Sequence, residues 1–554
     1  MNDDKSEFLL KEWEVWFTYT TALSPSNINI KNLADCLVES EIAHLSMLKD
    51  GYTTWRTKNG IGKGQSNINF DSDFNNKGRI KFEKAQEETI DLEEFAAEAW
   101  YQSCYFRYNE LRLFGEYSTL PPNYVRAFLG KCILYKNSTK KRIHLYPVLT
   151  VYETGVLSIE FRCISPSIPF SLNEFISDVV NIPQLSFDKV DVPPALSKIS
   201  SKAYMRNLSD WNMRERSKLL KWEKEHNKGI DANTYLDENG DFSFELSPLS
   251  SEENQKEWLY TLALTIFDSV AYLLSKSREG KKFILFGDKI SHQFDGYWIG
   301  RPHIYLCDFT NRQKTAKMNE KAFRSEFGKI LMQSNKFPSE LNQSSVPQDV
   351  RMFDDYSAFL GQTLSLWVWS DKGIENQELW EDPNRGHLIY EPQSKMRILD
   401  YVYVLHRRLL NETLTLKNYD QVISVRRELI EFEQKISEIT KYGEIRELLD
   451  FGWSQLGLDD VKKRIDKALA LQQEEKSNKE TRSYRKIGIT LTILFGLASL
   501  PTIATDILGK IWKWFNWVRP KDELSFQLLL LIITFGLIST VGVFFFNFTN
   551  KKKT

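Results

Sequence analysis

The last 68 residues constrain the fold of this chain more than any other part. Residues 487–505 carry no charge over 19 positions, and residues 524–550 carry none over 27. A helix needs about 20 apolar residues to cross the hydrocarbon core of a bilayer. The sequence therefore predicts a large body followed by a hairpin of two transmembrane helices, at 487–508 and 524–546. Two helices cannot enclose a pathway, so any conducting assembly needs several copies. Basic residues near the helix ends set the orientation. Lys476, Lys479, Arg482, Arg485 and Lys486 precede the first run, and Lys551, Lys552 and Lys553 follow the second. The connecting segment has only Lys510, Lys513, Arg519 and Lys521. This asymmetry places both termini in the cytoplasm of a bacterial inner membrane, with Trp512, Trp514 and Trp517 as an interfacial belt on the far side.

The net charge of −1 gives no overall field for nucleic acid or for an acidic substrate, and direct nucleic-acid binding is not expected. Aromatic residues make up 13% of the chain, which a disordered chain would lack. Five cysteines at wide spacings, with no C-x-x-C pair, fit buried thiols in a reducing compartment. The acidic start lacks the plan of a signal peptide.

Residues 12–20 alternate, with Trp13, Val15, Phe17 and Tyr19 on one face of a strand. Residues 59–78 are rich in Gly, Asn and Ser and read as a loop. Asp91 opens an amphipathic helix through a capping box with Glu94. Residues 142–163 form the clearest hairpin, turning at Glu153-Thr154-Gly155. A charged helix is expected at 200–227 and a buried apolar helix at 258–274. The pattern predicts an α/β ligand-sensing body at 1–393, a helical stalk at 394–486, the transmembrane pair within 487–550 and a basic tail at 551–554. From Leu458 no helix breaker intervenes before the first apolar run. That gives a helix of about 75 Å if it reaches Leu508.

This plan, with the stretch KIGITLTILFGLASLPTIATDILGK, resembles the CorA superfamily of two-helix divalent-cation channels. The likeness covers residues 395–554 in plan and about 60 residues in detail. The family's Gly-Met-Asn signature is absent. The corresponding positions are Asp506, Ile507, Leu508, Gly509, Lys510 and Ile511. The large body and the missing signature resemble the CorA-like membrane effectors of type III CRISPR systems. That resemblance implies antiviral defence, a homo-oligomer of five copies in the lipid bilayer, and control by a nucleotide second messenger, S-adenosylmethionine joined to AMP. No cofactor is required, and divalent cations would be the permeant ions.

Gly488, Thr492, Phe495, Ser499, Thr502, Asp506 and Gly509 are spaced 4, 3, 4, 3, 4, 3. Heptad spacing keeps one stripe facing neighbouring helices. The stripe reads as a pore lining, with Phe495 as a hydrophobic constriction, or as helix packing. For a nucleotide, Arg142, Arg162, Arg206, Arg214, Arg216 and Arg301 are the available cations for phosphate. No catalytic, Walker or dinucleotide motif occurs, so the chain is not expected to be an enzyme. The functional expectation is a ligand-gated channel of CorA-like build. The alternative is a constitutive divalent-cation transporter of the magnesium or cobalt type.

Overall fold

The computed structural model describes residues 8–24, 28–57, 60–70, 80–83, 94–114, 121–136, 141–208, 235–236, 242–243, 257–279, 291–293, 300–335, 346–351, 353–379, 386–415, 423, 426–427, 430–431, 433–434 and 443–551, some of their side chains excepted. The chain divides into two compact units, Met1–Ile465 and Asp466–Thr554.

The first unit is built on one mixed sheet. Its strands are β1 (Leu9–Ser24), β2 (Ala43–Leu48), β3 (Tyr52–Thr57), β4 (Gly60–Gln65), β5 (Tyr124–Leu129), β6 (Lys141–Tyr152), β7 (Val156–Ile164), β8 (Arg301–Phe309), β9 (Tyr356–Leu360) and β10 (Ser365–Trp369). They lie in the order β9-β10-β8-β1-β7-β6-β5-β2-β3-β4. All neighbours on this path are antiparallel except β8 and β10. The predicted hairpin is β6–β7, with Leu157 opposite Val151 and Arg162 opposite Tyr146.

Alternation along β1 sends its residues to two different cores. Trp13, Val15, Phe17 and Tyr19 join one core with α1 (Ile30–Glu39), α3 (Pro194–Leu208), α4 (Leu259–Glu279) and α5 (Ala316–Leu331). Trp16 joins a second core with α2 (Glu94–Phe114) and α6 (Gly386–Thr415). Both faces of the sheet are therefore covered. The helix expected at 258–274 is α4, and its Ile266, Phe267 and Val270 are buried. Burial pushes the Asp268 carboxyl on α4 up to about 6. A raised carboxyl favours the folded state at low pH and loses that favour as the pH rises through the folded value. Asp268→Asn is therefore expected to raise the melting temperature at pH 8 and to leave it nearly unchanged at pH 4, as calorimetry would show.

The Gly-rich segment expected to be a loop is in part the edge strand β4. Gly62 faces Trp55, whose indole lies 2.3 Å from where a Cβ would stand. A side chain there would displace the tryptophan, so the glycine allows the ring to cover the strand. The charged helix expected at 200–227 is described only as far as Leu208.

After α6 come α7 (Gly443–Gln455) and α8 (Leu458–Thr502). Gly457, at φ +72, makes the turn between them. In the second unit, α-helical pairing gives way to π-helix over Ile503–Leu508, and a short helix, Gly509–Trp514, leads to α9 (Glu523–Lys551). Ala504, Phe526 and Leu530 form a small core there with Leu508 and Trp512.

The expected pair of transmembrane helices is not found: among the described residues no helix is long and apolar enough to cross a membrane. α8 is charged along most of its length. Its uncharged part runs from Ile487 only to Thr502, where the π-helix begins, short of the roughly 20 residues a crossing needs. The CorA-like hairpin, the membrane character and the inner-membrane placement with both termini cytoplasmic are corrected accordingly. The pore and the cation-transport alternative needed those spans and are not carried forward.

Candidate functional site

Two constellations of charged side chains stand out, and they differ in access to solvent. The first lies between the sheet and α6 and is closed. On β1 the even positions face this layer, and the register brings Trp16 opposite both Arg162 and His303. Arg162 holds Glu14 through two hydrogen bonds, of 2.8 and 2.6 Å. Arg397 of α6 donates to both oxygens of Glu160, and Gln393 donates to the same carboxylate at 2.7 Å. The Gln393 carbonyl accepts from Tyr305 at 2.5 Å and lies 3.1 Å from His303 Nδ1. Asp400 takes Arg301 at 2.6 Å and stands 3.2 Å from His303 Nε2. Arg126 pairs with Glu110 of α2 at 2.6 Å, and Tyr124 donates to the same carboxylate. Glu160 and His303 are fully buried. A cavity beside this layer borders Arg162 and holds about 10 Å³, room for one water at most. Buried and paired, Gln393, Arg397 and Asp400 fix α6 on the sheet, and Glu110 fixes α2.

The second constellation is open. A cavity of about 370 Å³ is lined by Val402 and His406 of α6, by Glu433, by Arg446, Leu449, Asp450, Trp453 and Ser454 of α7, and by Leu458, Asp459 and Lys462 of α8. α6 thus grips the sheet with Gln393, Arg397 and Asp400 and forms a cavity wall two turns later. At the floor, His406 is fully buried. Its Nδ1 lies 2.7 Å from the Val402 carbonyl and its Nε2 lies 2.7 Å from Glu433 Oε1. Lys462 approaches the same oxygen at 2.9 Å. Burial alone would raise the Glu433 carboxyl, but the hydrogen bonds from His406 and Lys462 outweigh it and bring it down to about 2. Glu433 is therefore ionised at any ordinary pH.

Arg446 and Asp450 form a looser pair on α7, at 3.7 Å and well exposed. Such pairs contribute little to stability and exchange partners readily. The Trp453 indole nitrogen is shielded from solvent and has no hydrogen-bond partner among the described residues. The lining thus offers charges of both signs, an indole ring, and apolar patches from Val402, Leu449 and Leu458. Its volume lies in the range of small-molecule sites.

Of the six arginines expected to hold phosphate, the three with described side chains, Arg142, Arg162 and Arg301, do not line this cavity. Arg162 and Arg301 lie under α6 in the ion pairs just described. Arg142 stays at an exposed end of β6, 5.5 Å from the Tyr135 ring. Arg206 lies on α3, its side chain outside the described set, and Arg214 and Arg216 lie outside the described residues. Along α8, Gly488, Thr492 and Thr502 are exposed, Phe495 is 70% exposed and Ser499 is partly buried. Asp506, exposed, falls within the π-helical segment and Gly509, partly buried, just after it, so the heptad spacing does not continue past Thr502. The cavity residues carry no motif. A histidine among the apolar positions Val402 and Val404, followed by mixed charges on α7 and the start of α8, was the available signal. No family model, no curated protein and no solved structure matches the chain.

Proposed function

We propose that this chain is a small-molecule sensor, with a zwitterionic nucleotide as its ligand and the cavity between α6, α7 and α8 as its site. The supporting observation is the cavity lining itself. Lys462 and Arg446 offer cations to a phosphate, Asp450 and Asp459 offer anions to an ammonium or sulfonium, and Trp453 offers an aromatic surface to a base. S-adenosylmethionine joined to AMP carries all three features. α8 supplies three residues of the wall and continues as one helix to Thr502. A ligand that binds one arrangement of α6, α7 and α8 more tightly than another shifts the population between them. Calorimetry of the full chain against this compound, AMP and cyclic oligoadenylates tests the reading. Micromolar or tighter binding of at least one supports it, and no binding of any removes it.

The sensor acts as a homo-oligomer in this reading. In the second unit Phe495, Ile507, Leu528, Ile532 and Phe535 are exposed, beyond what a small helical core of its own covers. Monomeric proteins rarely expose apolar patches of more than a few hundred Å². The heptad spacing of 488, 492, 495, 499 and 502 fits contact with the same helix of another copy. Native mass measurement is expected to show a multimer, and Phe495→Asp is expected to reduce its size. A wild-type monomer would contradict the assembly.

A further inference from the structure

We propose that His406, Glu433 and Lys462 form a proton-operated latch on the cavity. The inference rests on reading that cavity as a ligand site, and it concerns what controls access to it. Both ring nitrogens of His406 sit 2.7 Å from an acceptor, the Val402 carbonyl on one side and Glu433 Oε1 on the other. A neutral imidazole has one N–H and one lone pair. Either neutral tautomer would therefore press a lone pair against an acceptor oxygen at 2.7 Å. Glu433 does not supply the missing proton, because the hydrogen bonds from His406 and Lys462 hold its carboxyl well below the usual carboxylate range. Only the imidazolium satisfies both contacts.

The groups around the ring come from each helix packed there. α6 offers the Val402 carbonyl, residue 433 offers its carboxylate, α7 offers Arg446 and Asp450, and α8 offers Asp459 and Lys462. One imidazolium thus ties α6 to Glu433, and Lys462 ties Glu433 to α8. Without the second ring proton, one of the two contacts turns repulsive. The carbonyl is fixed in α6, whereas the carboxylate keeps its bond to Lys462, so the contact to Glu433 is the one released. Glu433 and α8 then separate from α6, and the wall carrying α7 loosens. Histidine is the side chain whose charge changes in the range of about pH 5 to 8.

Hydrogen exchange of the full chain over Gly443–Gln455, corrected for the intrinsic rate, tests the latch at about pH 5.5 and about pH 8. Local opening in the wild type is expected to increase about tenfold or more at the higher pH, in keeping with the loss of one charged hydrogen bond. In His406→Gln the amide donates to Glu433 at either pH, and the increase should vanish. Glu433→Gln is an independent variant that removes the carboxylate, and it should also lose the dependence. Opening that is the same at both pH values in the wild type, or an unchanged increase in both variants, would overturn the proposal. The ligand reading fails separately. A pH-dependent opening with no binding of S-adenosylmethionine–AMP at either pH keeps the latch and removes that ligand, and binding with pH-independent opening does the reverse.

Discussion

Glu160→Ala is expected to destabilise the first unit by about 3–5 kcal/mol, a large share of the stability of any domain. The carboxylate is fully buried and is the shared acceptor of Arg397 and Gln393 from α6. Removing it leaves a guanidinium without its counter-ion, packed 3.8 Å from the centre of the Phe106 ring. The cost is that of an uncompensated buried charge, not of one lost contact. Arg397→Ala should cost a similar amount for the mirror-image reason. Replacing both by methionine keeps the volume and leaves no orphan charge, and such exchanges are often neutral. Denaturant unfolding of the three variants separates these outcomes. If the double variant is as unstable as either single one, the pair does more than hold α6 in place.

Arg446→Ala combined with Lys462→Ala is expected to weaken nucleotide binding by about 100-fold or more, because each loses a charged contact of about 1.5–3 kcal/mol. The arrangement of the two residues makes the double change informative. Arg446 is exposed and loosely paired, so its loss affects the ligand and little else. Lys462 also neutralises Glu433, so its removal weakens the latch as well as the site. Arg446→Ala alone should raise the dissociation constant without changing stability, whereas Lys462→Ala should change both. Calorimetry for affinity and thermal melting for stability distinguish them. Equal affinity in the double variant and the wild type would place the ligand elsewhere.

Much of the sheet was legible in the sequence because alternation and turn residues are local signals. The strand around Trp13–Tyr19, the hairpin that turns at Gly155 and the apolar helix expected at 258–274 all follow from such patterns. The second layer was not legible. Ser158, Glu160 and Arg162 alternate with the apolar positions of β7, yet α2 and α6 cover them, and Glu160 is matched by Arg397, more than 200 positions away. No local pattern carries such a pairing. The cavity was hidden for the same reason, since its walls come from three helices and from Glu433, none with a motif. At the C-terminal end the uncharged runs suggested two spans, but a run of uncharged letters does not show where the α-helical ladder stops. The π-helix after Thr502 ends the first run's continuous stretch, and the heptad stripe stops with it.

The central claim is that the cavity between α6, α7 and α8 is where a nucleotide binds. Photo-crosslinking with an azido-adenine form of S-adenosylmethionine–AMP, followed by peptide mapping of the full chain, tests it most directly. The account predicts labelling within residues 443–462, with Trp453 or its neighbours modified, and loss of that label when unmodified ligand competes. Competed labelling confined to peptides outside 402–462, such as those carrying Arg142 or Arg206, would contradict it.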